Sequence, residues 1–122
     1  MSLTSNVFPH PMAPRWWWIY YTIKTAQDFC KAEEQPQPVV LMFSADFNEA
    51  CKVMKKPFRD MALAKKKQAI FCLVDVDNKL KDIVEKYRVE ALPTFVLIKN
   101  GKEQKRAVGA KMDELRIIEG NI

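Results

Sequence analysis

Apolar blocks recur along this chain, and their spacing alternates between the periods of strands and of helices. The stretch from Trp18 to Ile23 is β-branched and aromatic, which predicts a strand. Thr25 then serves as a helix N-cap, with Asp28 in the first turn, and the helix carries Phe29, Cys30 and Ala32 before Pro36 and Pro38 end it. Val39-Val40-Leu41-Met42-Phe43 is a continuous apolar run, as in a central strand covered on both faces. A second helix is expected from about Asn48 to Lys66, with Val53, Met54, Phe58, Met61 and Ala62 at helical spacing and Pro57 placed to kink it. Residues 69–74 form another buried strand, closed by Asp75-Val76-Asp77-Asn78, and Lys79 to Tyr87 a short amphipathic helix. Thr94 to Ile98 and Gln104 to Val108 read as strands joined across Asn100-Gly101, a two-residue hairpin turn, and Met112 to Ile118 as a last helix. The order β-α-β-α-β-α-β-β-α predicts an α/β domain: a mixed central sheet of about five strands flanked by four helices.

At 122 residues the chain is long enough for one domain with a real core. Residues 1–15, with Pro9, Pro11 and Pro14, read as a flexible tail, and residues 16–122 as the folded domain. His10, the single histidine, lies in that tail and has no evident partner for catalysis or metal binding. Net charge is +5, with lysines spread along the chain and a cluster at Lys65-Lys66-Lys67 that suits a solvated helix end. No nucleic-acid recognition motif accompanies this charge, so nucleic acid is not expected as a partner. Cys30, Cys51 and Cys72 are too few and too irregularly spaced for a disulfide framework or a zinc site, and the odd number favours a reducing compartment. No secretory signal is visible, the apolar block Trp16 to Tyr21 is too short to span a bilayer, and Ser2 excludes myristoylation. The expected location is the cytoplasm, with no membrane association.

The chemistry is concentrated in Phe43-Ser44-Ala45-Asp46-Phe47-Asn48-Glu49-Ala50-Cys51-Lys52. This segment resembles a thioredoxin active site from which the attacking cysteine is missing: Asn48-Glu49-Ala50-Cys51 stands where that family has Cys-x-x-Cys. Val74-Asp75-Val76-Asp77 is similar to the family's strand end, Val89 to Phe95 to its cis-proline loop, Lys99 to Lys102 to its hairpin, and Val108 to Leu115 to its last helix. The second half is most similar to the h-type cytosolic thioredoxins of plants, and the likeness runs from about Trp18 to the C-terminus.

The resemblance implies a thioredoxin fold with a cis peptide before Pro93. It also implies an apolar docking groove for an extended polypeptide, formed by Phe47, Ala91, Leu92, Pro93, Thr94, Gly109 and Ala110. Phe47 stands where the family keeps a tryptophan. Asn48 occupies the nucleophile position, where a carboxamide cannot attack a disulfide; it is, however, a strong helix N-cap, and Glu49 suits the first turn. Thioredoxins commonly bury an aspartate beneath the site, with a lysine nearby, and those positions are Met42 and Leu73 here. A buried carboxylate costs stability, so its absence fits a relaxed catalytic demand.

Cys51, the surviving second-cysteine position, is expected to be shielded and inert. Cys30 and Cys72 are expected to be small core residues. The leading expectation is a redox-inactive polypeptide-binding module that needs no cofactor or metal and has lost dithiol-disulfide reductase activity. The alternative is a monothiol redox protein that uses Cys51 to form mixed disulfides with glutathione or a client, a residual role in cell redox homeostasis. A third reading compares the site with those of spliceosomal thioredoxin-like and phosducin-like adaptors. The aromatic block Trp16 to Tyr21 is expected to pack as core and as a lid over the sheet edge; the sharper reading is an exposed patch for a partner or a homodimer.

Overall fold

The computed structural model describes residues 20–76 and 80–122. The tail 1–15, His10, the tryptophans of the aromatic block and Asp77, Asn78 and Lys79 lie outside the described residues. The elements run β1 (Tyr21–Ile23), α1 (Ala26–Glu33), β2 (Val39–Ser44), α2 (Glu49–Lys65), β3 (Ile70–Asp75), α3 (Lys81–Lys86), β4 (Thr94–Lys99), β5 (Lys102–Val108) and α4 (Met112–Gly120). This is the expected order. Among the described residues the strands form one five-stranded sheet, ordered β1-β3-β2-β4-β5. β1, β3 and β2 are parallel, and β4 and β5 are added antiparallel.

The two faces of the sheet carry separate cores because side chains alternate along each strand. Val40 and Met42 point to one face with Leu73, Phe95 and Leu97, and are covered by Met54, Phe58, Met61 and Ala62 of α2 and by Leu115 and Ile118 of α4. Leu41 and Phe43 point to the other with Cys72, Val74 and Val96, beneath Phe29 and Ala32 of α1 and Ile83 of α3. Both faces of β2 are therefore buried, which explains its uninterrupted apolar run.

Local chemistry sets the ends of the elements. Thr25 caps α1 by accepting from the Asp28 amide at 3.0 Å. Asn48 caps α2 in the same way, accepting from the Cys51 amide at 3.0 Å. Asn100 and Gly101, at φ 54° and 76°, make the two-residue turn between β4 and β5, where both positions need positive φ. α3 closes at Arg88, at φ 51°, and the Val89 amide bonds back to the Val84 carbonyl at 3.0 Å. α2 continues as one helix through Pro57.

Three expectations change. Of the expected first strand, Tyr21–Ile23 are paired and Tyr20 is not, because β1 is an edge strand with three paired residues; Trp18 and Ile19 lie outside the described residues. Val53, expected in the apolar stripe of α2, is 66% exposed; Cys51, Met54, Phe58, Met61 and Ala62 already fill one side of the helix, and Val53 projects from the other. Cys30 is exposed, not core, because Phe29 and Ala32 take the buried side of α1 and Cys30 lies about 100° around from Phe29.

Replacing the Asn48 cap with alanine (Asn48→Ala) should destabilise the fold by about 1 kcal/mol, seen as a lower midpoint in thermal or urea unfolding. A second outcome concerns alkaline pH. Burial pushes the Cys72 thiol far above its ordinary range. Its contribution is fully present below the unfolded-state value of about 8.5 and is lost as pH rises above it, because the unfolded chain gives up the proton first. Urea unfolding across that range should show falling stability, with a slope shallower in Cys72→Ala by up to about 1.4 kcal/mol per pH unit.

Candidate functional site

Three loops meet at one end of the sheet because of strand register. Phe43, near the end of β2, pairs with Thr94 at the start of β4, and Thr94 pairs with Val108 at the end of β5. Residues 45–48 leave β2 there, residues 91–93 enter β4 there, and Gly109-Ala110 leave β5 there. The Gly109 amide donates to the Pro93 carbonyl at 2.8 Å, tying two of these loops together. Gly109 sits at φ 89°, a conformation that favours glycine. The Leu92–Pro93 peptide is cis.

α2 begins at this end of the sheet. The Asn48 side chain is spent on the Cys51 amide, while its own amide donates to the Ala45 carbonyl at 3.1 Å and its carbonyl accepts from Lys52 at 3.2 Å. Asn48 thus anchors the helix start and holds the backbone of the thiol-bearing residue. Cys51 is 4% exposed. Burial pushes its thiol up, and a backbone hydrogen bond at Ala45 and the nearby Lys55 charge oppose that only in part. The floor beneath is apolar: Met42 and Leu73 are register partners on adjacent strands and belong to the same buried cluster as Cys51. No titratable side chain sits at either position to accept or deliver a proton.

The expected groove residues divide into two groups. Phe47 is 83% exposed, and Ala91 and Ala110 are also exposed. Leu92 is half-buried and packs against both cores. Pro93 and Thr94 are buried, and the Thr94 hydroxyl donates to the Ala91 carbonyl at 2.6 Å, so this side chain closes the loop from within. Two features were not singled out from sequence. Ser44, Ala45, Asp46, Cys51, Lys52 and Lys55 line a cavity of about 220 Å³ at the start of α2. Ser44 is buried, and strand alternation gives it the same face as Met42; that alternation was the available signal. Among the described residues no cluster of His, Cys, Asp and Glu could hold a metal ion.

These environments order the three thiols. Alkylation of the native protein with iodoacetamide at mildly alkaline pH should modify Cys30 first, with Cys51 at least about tenfold slower and Cys72 reacting only on unfolding. Peptide mass mapping over time reads this out, and a Cys51 rate equal to that of Cys30 would contradict the shielding.

The thioredoxin family model matches residues 21–118. Thioredoxin H7 of Arabidopsis thaliana is 38% identical over 115 residues, covering 94% of this chain and 82% of the relative. Thioredoxin H2-2 of Oryza sativa subsp. japonica is 47% identical over 77 residues, covering 63% of this chain and 56% of that longer protein. Among solved structures, thioredoxin from Trypanosoma brucei brucei superposes with a TM-score of 0.76 at 27% identity, covering 84% of this chain and 88% of that one. With the strand order, the helix start at Asn48 and the loop at Pro93 already in place, these likenesses agree: the chain belongs to the thioredoxin family.

Proposed function

We propose that this protein is a polypeptide-binding module of the thioredoxin family in which dithiol exchange has been lost. The observation that carries the reading is the use of Asn48: the residue in the attacking position is a helix cap bonded to the Cys51 amide, 3.0 Å away. A carboxamide in that bond has no route to a disulfide adduct, and dithiol exchange needs a thiolate there to displace one sulfur of the target. The apolar floor at Met42 and Leu73 supports the same reading, since neither position offers Cys51 a carboxylate or an ammonium. What survives is a surface. Exposed Phe47 stands at one side, Ala91 and Leu92 in the middle, and Gly109 and Ala110 at the other side of one sheet end. An extended segment of a client chain is the ligand that suits such a surface, with its backbone against the Pro93 loop. The protein acts in the cytoplasm, without a cofactor.

One observation favours a second reading, a monothiol role for Cys51. The cavity reaches this residue, and the Lys55 charge favours its thiolate. In that case the Cys51 thiolate would attack oxidised glutathione, form a mixed disulfide and expel one glutathione thiolate. Burial is the larger effect on this thiol and opposes it.

Coupled assays with NADPH, thioredoxin reductase and insulin should show no disulfide reduction by this protein; turnover that disappears in Cys51→Ser would overturn the binding-module reading. Restoring a thiol with Asn48→Cys should allow a disulfide to Cys51, seen as a two-hydrogen mass loss, but only weak reductase activity. Full activity in that variant would show that the apolar floor is not limiting.

A further inference from the structure

The outward side of α2 carries a stripe of cations. Lys52, Lys55, Lys56 and Arg59 share one side of the helix, with steps of three or four residues from Lys52 to each of Lys55 and Lys56 and from each of these to Arg59, and Leu63 continues the row one turn on. Together with Tyr20 and Asp60 they line an open groove of about 540 Å³. Like charges at these spacings repel along a helix, so the arrangement is unfavourable for α2 by itself. Lys52 is paired with Glu49 at 3.1 Å and Lys56 with Asp60 at 3.0 Å. Among the described residues neither Lys55 nor Arg59 has a carboxylate partner. Residues 1–19, which precede Tyr20 in the chain, contain no Asp or Glu and cannot supply one.

This groove is continuous with the candidate site, because Lys52 and Lys55 line both it and the cavity at Cys51. We propose that the α2 groove is a docking surface for an acidic polypeptide segment, whose carboxylates meet Lys55 and Arg59 and whose apolar side chain rests between Tyr20 and Leu63. The inference rests on the polypeptide-binding reading above and adds the charge of the ligand and its path along α2. Polypeptide suits the groove better than nucleic acid for two reasons. Asp60 lies among the cations and Asp46 in the adjoining cavity; a peptide can set an uncharged residue opposite each of them, whereas a phosphate backbone carries charge at every unit. The groove also offers an apolar end in Leu63 and Tyr20, which an acidic peptide with one leucine can fill. A second copy of this chain, itself carrying net charge +5, is a poorer electrostatic match.

Fluorescence anisotropy with a short fluorescein-labelled peptide of repeating Glu-Glu-Leu, and with its Gln-Gln-Leu counterpart, tests the proposal. The acidic peptide should bind about tenfold tighter than the neutral one, with affinity falling as salt rises. Lys55→Glu/Arg59→Glu should abolish that preference, and Lys55→Gln/Arg59→Gln should reduce it, with circular dichroism and the unfolding midpoint showing each variant folded. Phe47→Ser should weaken both peptides alike and leave their ratio unchanged, which separates the α2 groove from the loop groove. Equal binding of the two peptides would overturn the acidic docking surface while leaving polypeptide binding intact. Absence of binding by either peptide would overturn both. Tighter binding of an oligouridylate than of the acidic peptide, or salt-sensitive self-association in light scattering that blocks the peptide, would assign the groove to RNA or to a second copy and overturn the proposal.

Discussion

The pairing of Phe43 with Thr94 is the constraint on which the rest of the site depends. β2 and β4 run antiparallel, so the end of one lies beside the start of the other, and the loops that follow and precede them must share one end of the sheet. β5 returns by a two-residue turn and brings Gly109 to the Pro93 carbonyl. Slipping the β2–β4 register by one residue would turn Met42 and Val40 out of the α2 core and separate the loops at the same time. The site is therefore held by the buried faces of β2, and changes in the exposed loop residues leave its frame standing.

Within that frame, exchanging a thiol for a carboxamide at position 48 alters chemistry more than structure. A helix start leaves backbone amides unsatisfied, and Asn48 satisfies the one belonging to Cys51. A thiol would be a weak acceptor by comparison, so asparagine at this position favours the helix start. The floor follows the same logic. Met42 and Leu73 fill adjacent register positions without the desolvation cost of a buried carboxylate or ammonium. Catalytic function and stability compete at such positions, and here the residues present are those that favour stability.

The cations of α2 are the one feature that local stability does not explain. Lysine and arginine at neighbouring helical positions repel, and two of them have no carboxylate partner among the described residues. Their position beside the Cys51 cavity places this charge within reach of anything bound at the sheet end. Exposed Phe47 and the cationic stripe together make the region apolar on one side and basic on the other.

The order of elements, the hairpin at Asn100-Gly101, the double-sided burial of β2 and the cap at Asn48 were all legible in the residues, because each follows from local periodicity, turn chemistry or a side chain acting on its own neighbours. The candidate loops were legible through resemblance to a family, residue by residue. What could not be read locally depended on the angle at which each element meets the sheet. Cys30 and Val53 are apolar residues on amphipathic helices, yet both face outward, since packing chose a neighbouring stripe for burial. The bond from the Thr94 hydroxyl to the Ala91 carbonyl likewise depends on how the loop folds back on β4. Sequence alone settled that the helix after β2 is capped by an asparagine at position 48. Only the tertiary structure decided that Cys51 lies buried over an apolar floor and that α2 turns its cations toward a groove, because burial is a property of surfaces meeting and not of the residues taken one by one.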